Sequence, residues 1–169
     1  MTPRMTDHSK RAAPGYKALL GFEAALKESP LEHKLLHLIK LRASQINGCA
    51  FCLQMHAAEA LKDGETQLRL HLLAGWRDSS LYSPRERAAL AWTESLTLVA
   101  ESHAPEADWQ AVSAEFNADE LAWLSYAIGM INLWNRVQVG FRAPHGDLPP
   151  LKWSELMYCF WHQGGLHAA

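Results

Sequence analysis

In this 169-residue chain the reactive side chains concentrate in Asn47-Gly48-Cys49-Ala50-Phe51-Cys52-Leu53-Gln54-Met55-His56. Two thiols stand three residues apart, with an imidazole four residues after the second. On a helical turn, cysteines at i and i+3 lie close enough to close a disulfide with modest adjustment. The free N–H groups and positive dipole end of a helix N-terminus favour thiolate over thiol. Cys52 and His56 share a face at i,i+4 spacing, so the ring can accept or share the thiol proton. The spacing therefore favours a redox-active dithiol. A lone Cys-x-x-Cys also serves zinc sites, and His33 and His37, at helical i,i+4 spacing upstream, could supply ligands with the cysteines. No strand pattern precedes the motif, which argues against a thioredoxin-type fold. Three cysteines cannot all pair within one chain, and Cys159, far away in the tail, reads as a single thiol.

Helices must position this unit. Apolar residues recur at three- and four-residue steps nearly throughout, which predicts an all-α, single-domain helical bundle. Residues 1–13 read as a polar arm. A first helix is expected over Pro14 to Lys27, with Pro at its opening turn and Tyr16, Leu19, Leu20, Phe22 and Leu26 on its apolar face. A second runs from about Leu31 to Ile46, with Arg42 as a surface or interface charge, until Asn47-Gly48 breaks it. The third starts at the cysteines and stops near Asp63-Gly64. A short fourth helix covers Glu65 to about Gly75. Ser83-Pro84-Arg85-Glu86 combines an N-cap, Pro at the first helical position and a capping box, and opens a helix expected to reach about Ser102. Asp108 to Phe116 follows, and a last long helix runs from Asn117 or Asp119 to about Phe141. Gly129 within it suggests close helix approach. Trp92, Trp123 and Trp134 fall on apolar faces as core or subunit contacts. Residues 143–169 form an irregular tail rich in Pro and Gly, then aromatic (Trp153, Tyr158, Phe160, Trp161). Exposed aromatics are costly, so this tail is expected to pack on its domain or a neighbouring subunit.

A formal net charge of −2 argues against nucleic acid or an anionic membrane as partner. No apolar run is long enough for a transmembrane helix, and the N-terminus lacks the apolar core of a secretory signal. The expected compartment is the cytoplasm, where a disulfide is more often catalytic than structural. There is no glycine-rich strand–helix fingerprint for flavin or nicotinamide, and no haem site, so no cofactor is expected.

The run from Leu38 to His56 resembles the core motif of the alkyl hydroperoxidase D-like, carboxymuconolactone decarboxylase superfamily. The similarity extends to Ile131-Asn132-Leu133-Trp134-Asn135-Arg136 and covers about residues 14–142. The resemblance implies a helical domain that assembles into homo-oligomers, commonly trimers or hexamers, and a peroxidase or dithiol–disulfide exchange activity. By motif position, Cys52 would attack the hydroperoxide, Cys49 would resolve the sulfenic acid to a disulfide, and His56 would assist proton transfer. A thiol or dithiol donor would then restore the reduced form. One departure stands out: the family usually carries a relay glutamate twelve residues before the first motif cysteine, and here that position is His37. An imidazole can relay a proton but lacks the negative charge that would orient His56, and Glu32 or Glu59 could substitute in space. The alternatives are decarboxylase-like chemistry on a small organic acid, which does not generally need the dithiol, and a non-enzymatic redox-responsive oligomer.

Overall fold

The structure, a computed structural model, describes residues 2–146. Among these residues every regular element is helical. A helical turn, α1 (His8–Arg11), leads into α2 (Ala13–Lys27), α3 (His33–Ile46) and α4 (Ala50–Lys62). A short α5 (Gln67–Leu72) runs on into a 3₁₀ turn, Leu73–Gly75, and is followed by α6 (Pro84–Thr97) and α7 (Val99–Ser102). The bundle is completed by α8 (Glu106–Glu115) and α9 (Ala118–Phe141). No helix among them is long and apolar enough to cross a membrane.

The position of α3 follows from its sequence. Leu35, Leu36, Leu38, Ile39, Leu41 and Ala43 are all buried, so apolar side chains leave the helix on more than one side. A helix patterned this way is stable only when surrounded, and α3 packs against α4, α6 and α9. Leu35, Leu36 and Ile39 join Leu26, Ala89, Trp92, Leu124 and Ile128 in the main core. Leu38 and Leu41 join a second cluster with Ala60, Leu73, Trp76, Tyr82 and Leu90. The two cysteines sit in a third, with Ala43 and Ile131.

The start signals hold where side-chain oxygens can reach the first-turn amides. Ser83 with Glu86, and Asn117 with Glu120, form complete capping boxes on α6 and α9. The helix expected to run from Ser83 to Ser102 does not: it breaks at Leu98, with φ −102° and ψ 34°. Leu98 and Val99 face solvent, so their apolar character does not extend the buried stripe. Beyond the break the Ser102 hydroxyl donates to the Ser95 carbonyl at 2.6 Å. Arg42, read from sequence as a surface or interface charge able to pair with an acid across helices, is half-buried and does pair with Glu94 on α6 at 2.7 Å. Gly129 faces outward, and a Cβ added there would meet nothing within 4 Å, so it marks no close helix approach among the described residues. Trp92 is core, and its Nε1 donates to Ser125 Oγ at 3.0 Å.

The N-terminal segment docks on the end of α9. The Arg4 N–H donates to the Phe141 carbonyl at 2.9 Å, and the His8 ring stacks on Phe141 at 5.0 Å. After α9 the chain returns to α4, where Gln54 and the Gly146 backbone exchange two hydrogen bonds of 3.0 Å. The tail from residue 147 onward, with Cys159 and the four tail aromatics, lies outside the described residues.

The link between α3 and α4 is the tightest constraint on the thiols. Asn47 is the α3 C-cap, Gly48 turns with φ +65°, and Cys49 is the α4 N-cap. An added Cβ at Gly48 meets nothing within 4 Å, so Gly48→Ala pays only for the left-handed backbone. That strain is about 1–2 kcal/mol. Urea unfolding of Gly48→Ala should therefore give an unfolding free energy lower by that amount, seen as a lower midpoint at unchanged slope; an unaltered midpoint would mean that the turn is not held as described.

Candidate functional site

Cys49 and Cys52 are both about 1% exposed and both free thiols, and their sulfurs are hydrogen-bonded at 2.6 Å. The geometry follows from the helix start: as N-cap, the Cys49 sulfur accepts the backbone N–H of Cys52 at 3.4 Å. Of the two, Cys49 is the sulfur that ionises. Its pKa is lowered to about 7, chiefly because the Cys52 thiol donates to it, aided by the Cys52 N–H and the Asn135 amide and opposed by burial. The same hydrogen bond raises the Cys52 pKa, and burial and the adjacent Cys49 charge raise it further. Above about pH 7 the reduced pair would be one thiolate and one thiol, set against Phe51 and Trp134.

Asparagines fix this arrangement from α9. The Asn47 side chain donates to both Asn132 Oδ1 and Asn135 Oδ1 at 2.9 Å, joining the turn to α9. Asn135, 1% exposed, donates its own amide to Ser44 Oγ at 3.0 Å. Asn132 donates to Thr97 Oγ1 at 3.0 Å and accepts from Arg136 Nη1 at 3.0 Å. Arg136 therefore serves its own helix here rather than an acid across the bundle. These polar groups had no role assigned from sequence. The signal was there: two asparagines, three apart, on the otherwise apolar face of a long helix.

His56 is buried one turn beyond Cys52, and its Nδ1 lies 2.8 Å from Glu59 Oε2. Burial depresses the His56 pKa, helped by the nearby Lys40 charge and resisted by Glu59 and Glu23, so the ring is neutral at pH 7. For Glu59, burial pushes the pKa upward, but the hydrogen bond from His56 and the surrounding His56, Lys40 and His37 outweigh it, and the net shift is downward. Lys40 is itself paired with Glu23 at 2.8 Å. His37 reaches this group: ligand-capable atoms of His37, His56 and Glu59 lie within 4.8 Å of one another. His37 Nε2 is also 2.7 Å from Asp63 Oδ2. The carboxylate missing at position 37 is thus supplied to His56 by Glu59. Glu32 is elsewhere, paired with Arg85. His33 bonds the Lys27 carbonyl and takes no part.

Two surface grooves are present, of about 330 Å³ beside α4 and α5 and about 560 Å³ beside α8 and α9, and neither is lined by a thiol. The first is apolar, walled by Leu41, Leu53, Leu61 and Leu70.

Residues 14–95 match the carboxymuconolactone decarboxylase family. The chain is 37% identical over 128 residues to the uncharacterised protein YdfG of Bacillus subtilis, covering 76% of this chain and 87% of that one. It is 29% identical to the uncharacterised YnjA of Escherichia coli over 118 residues, 70% of this chain and 64% of YnjA. A crystal structure from Agrobacterium tumefaciens, of a protein of unknown function provisionally named for antioxidant defence as AhpD, superposes with a TM-score of 0.83 at 41% identity. That likeness covers 87% of this chain and all of the Agrobacterium chain. An uncharacterised peroxidase-related protein from Ralstonia eutropha, described as an alkylhydroperoxidase AhpD core, shares the fold at a TM-score of 0.70 and 24% identity, over 83% of this chain and 75% of its own.

The charge partition between the sulfurs can be read directly. Thiolate absorbance near 240 nm should rise through about pH 7 in the reduced protein and be missing from that range in Cys49→Ser. Cys52→Ala should move the transition upward toward the ordinary thiol value of about 8.5, because the donated hydrogen bond is gone. A wild-type transition already at that ordinary value would refute the partition.

Proposed function

The chain belongs to the alkyl hydroperoxidase D-like, carboxymuconolactone decarboxylase family, and on that premise we propose that it is a dithiol peroxidase. It reduces hydroperoxides with Cys52 as attacking sulfur and Cys49 as resolving sulfur. The observation that carries this reading is the buried, hydrogen-bonded thiol–thiolate pair at the head of α4, with a neutral imidazole one turn behind it.

The roles follow from the electrostatics. Nucleophilicity rises with basicity, so Cys52, the sulfur with the raised pKa, is the stronger nucleophile once its proton leaves. That proton can pass to the Cys49 sulfur at 2.6 Å or to neutral His56, whose charged form Glu59 would stabilise. The Cys52 thiolate then attacks the terminal peroxide oxygen and the O–O bond breaks. Cys52 becomes a sulfenic acid, and the leaving alkoxide takes up the proton to depart as an alcohol. The Cys49 sulfur next attacks the Cys52 sulfur, the S–O bond breaks, and water leaves as the disulfide forms. Reduction runs the polarity in the other direction. A donor thiolate attacks Cys52, because Cys49, the lower-pKa sulfur, is the better leaving group. Cys52 thus meets both external partners, and a second donor thiol releases it. The apolar surroundings of the pair favour an uncharged hydroperoxide over a charged acid. A reducing cytoplasm would supply the dithiol donor.

We further read the protein as a homo-oligomer. Leu61, Leu68 and Leu72 are 39%, 60% and 41% exposed beside the apolar groove of α4 and α5. Light scattering during gel filtration should give a multiple of 18.9 kDa, three or six chains in the family pattern. A monomer at micromolar concentration would remove this part of the reading.

With an organic hydroperoxide and a dithiol donor, Cys52→Ser should lose all donor-dependent peroxide consumption. Cys49→Ser should still consume about one equivalent, stop, and accumulate a sulfenic acid that dimedone traps on Cys52. The wild-type rate should increase with pH through about 7 as the pair loses its first proton. Glu59→Gln keeps a hydrogen-bond partner for His56 but removes the charge, and should slow turnover by roughly 100-fold if His56 is the proton acceptor. Dimedone label on Cys49 in Cys52→Ser would reverse the assignment of the two sulfurs. Peroxide consumption that survives loss of both thiols would end the peroxidase reading.

A further inference from the structure

His37 departs from the glutamate usual at its position, and the departure changes what the neighbourhood can bind. With glutamate there, the cluster around His56 would hold one imidazole and two carboxylates. With His37, it holds two imidazoles and one carboxylate. His37 comes from α3, His56 and Glu59 from successive turns of α4, and one ligand-capable atom of each lies within 4.8 Å of the others. Ligand atoms around a tetrahedral zinc ion stand about 3.4 Å apart, given bonds of about 2.1 Å. Side-chain adjustment of about an ångström would bring these three onto one centre.

We propose that His37, His56 and Glu59 form a binding site for a divalent late transition-metal ion, zinc above all. The donor set, two nitrogens and one oxygen, is that of zinc and its neighbours rather than of calcium or magnesium. Three further features fit a metal. His56 is buried and already faces the Glu59 carboxylate at 2.8 Å, so two of the donors converge. Asp63 Oδ2 lies 2.7 Å from His37 Nε2, so a carboxylate is in place to orient that ring from outside the ligand shell. Lys40, the nearby cation that would oppose a metal, is held by Glu23 at 2.8 Å. A fourth position would remain for water.

The consequence rests on the function proposed above. The metal would occupy the imidazole that receives the Cys52 proton and the carboxylate that supports it. Zinc binding and peroxide turnover would then be mutually exclusive, and the ion would act as a reversible inhibitor without touching sulfur. This differs from a zinc module built on the cysteines, since neither thiol is a ligand.

The experiment separates the site from the activity. The full chain with both Cys49 and Cys52 changed to Ser is titrated with zinc by calorimetry and with cobalt(II) by visible absorption. One zinc per chain is expected, and cobalt should give d–d bands without the near-ultraviolet charge-transfer band of a thiolate ligand. In the same background His37→Ala should abolish saturable binding, whereas Asp63→Asn should weaken it roughly tenfold by loosening the ring. Circular dichroism confirms that each variant is folded; His37→Gln, closer in size, replaces His37→Ala if the latter is not. Absence of binding in the thiol-free chain, or binding unaffected by the His37 change, overturns the site. In the wild-type protein, zinc that saturates the site without slowing peroxide consumption overturns the exclusion. If the chain proves to have no peroxidase activity, the calorimetry still decides the site on its own.

Discussion

The three-residue passage from α3 to α4 governs what the rest of the molecule can do. Asn47 closes one helix, Gly48 reverses the backbone in a left-handed conformation, and Cys49 opens the next helix by accepting the Cys52 amide on its sulfur. A helix N-cap is ordinarily an oxygen. Placing sulfur there gives the thiolate a donor and the positive end of α4 without any cationic side chain. The passage holds its shape because the Asn47 amide is bonded to two buried asparagines of α9. Leaving any of these amides unpaired would cost about 1–3 kcal/mol. Among the described residues no buried side-chain polar atom lacks a partner, so the network is complete and stiff.

From that placement follows an asymmetry between chemically identical side chains. The N-cap sulfur gathers hydrogen bonds and takes the charge, and the sulfur one turn on keeps the proton because it supplies one of those bonds. Neither environment alone would suffice for the proposed peroxidase reaction. A stabilised thiolate is a weaker nucleophile, and a thiol with a raised pKa is seldom ionised. Coupling the two over 2.6 Å lets a proton transfer exchange these roles without moving a heavy atom. In the proposed reaction the ring of His56 would be a second acceptor, and Glu59 at 2.8 Å would make charging that ring tolerable in a buried place.

Much of this was legible in the sequence, for physical reasons that differ from residue to residue. The helices were, because apolar periodicity and capping boxes are local properties: Ser83 with Glu86 forms the expected pair of bonds. The break at Leu98 was not, because an exposed Leu98-Val99 pair has the same composition as a buried one. The nearness of Cys49 and Cys52 followed from helical spacing alone. Which acid meets Arg42, and the attachment of Asn47 to Asn132 and Asn135, depend on how helices far apart in sequence meet. A pattern read along one helix does not carry that. Gly129 shows the opposite failure: a residue suited to close approach lies on a face where nothing among the described residues approaches it.

The source of the carboxylate beside His56 decides how the site is built. A glutamate at position 37 would reach His56 from α3, and its geometry would depend on the packing of α3 against α4. Here Glu59 stands three residues after His56 on the same helix, so their 2.8 Å contact is set by helical geometry and survives small shifts between the two helices. In the proposed reaction the attacking sulfur, its proton acceptor and the supporting carboxylate would therefore all come from one helix, α4. Position 37 is released from the task of orienting His56, and it is filled by an imidazole that Asp63 holds in turn. Of the two glutamates that could stand in for a carboxylate at position 37, Glu59 is the one that pairs with His56, and α3 adds a second nitrogen beside the first.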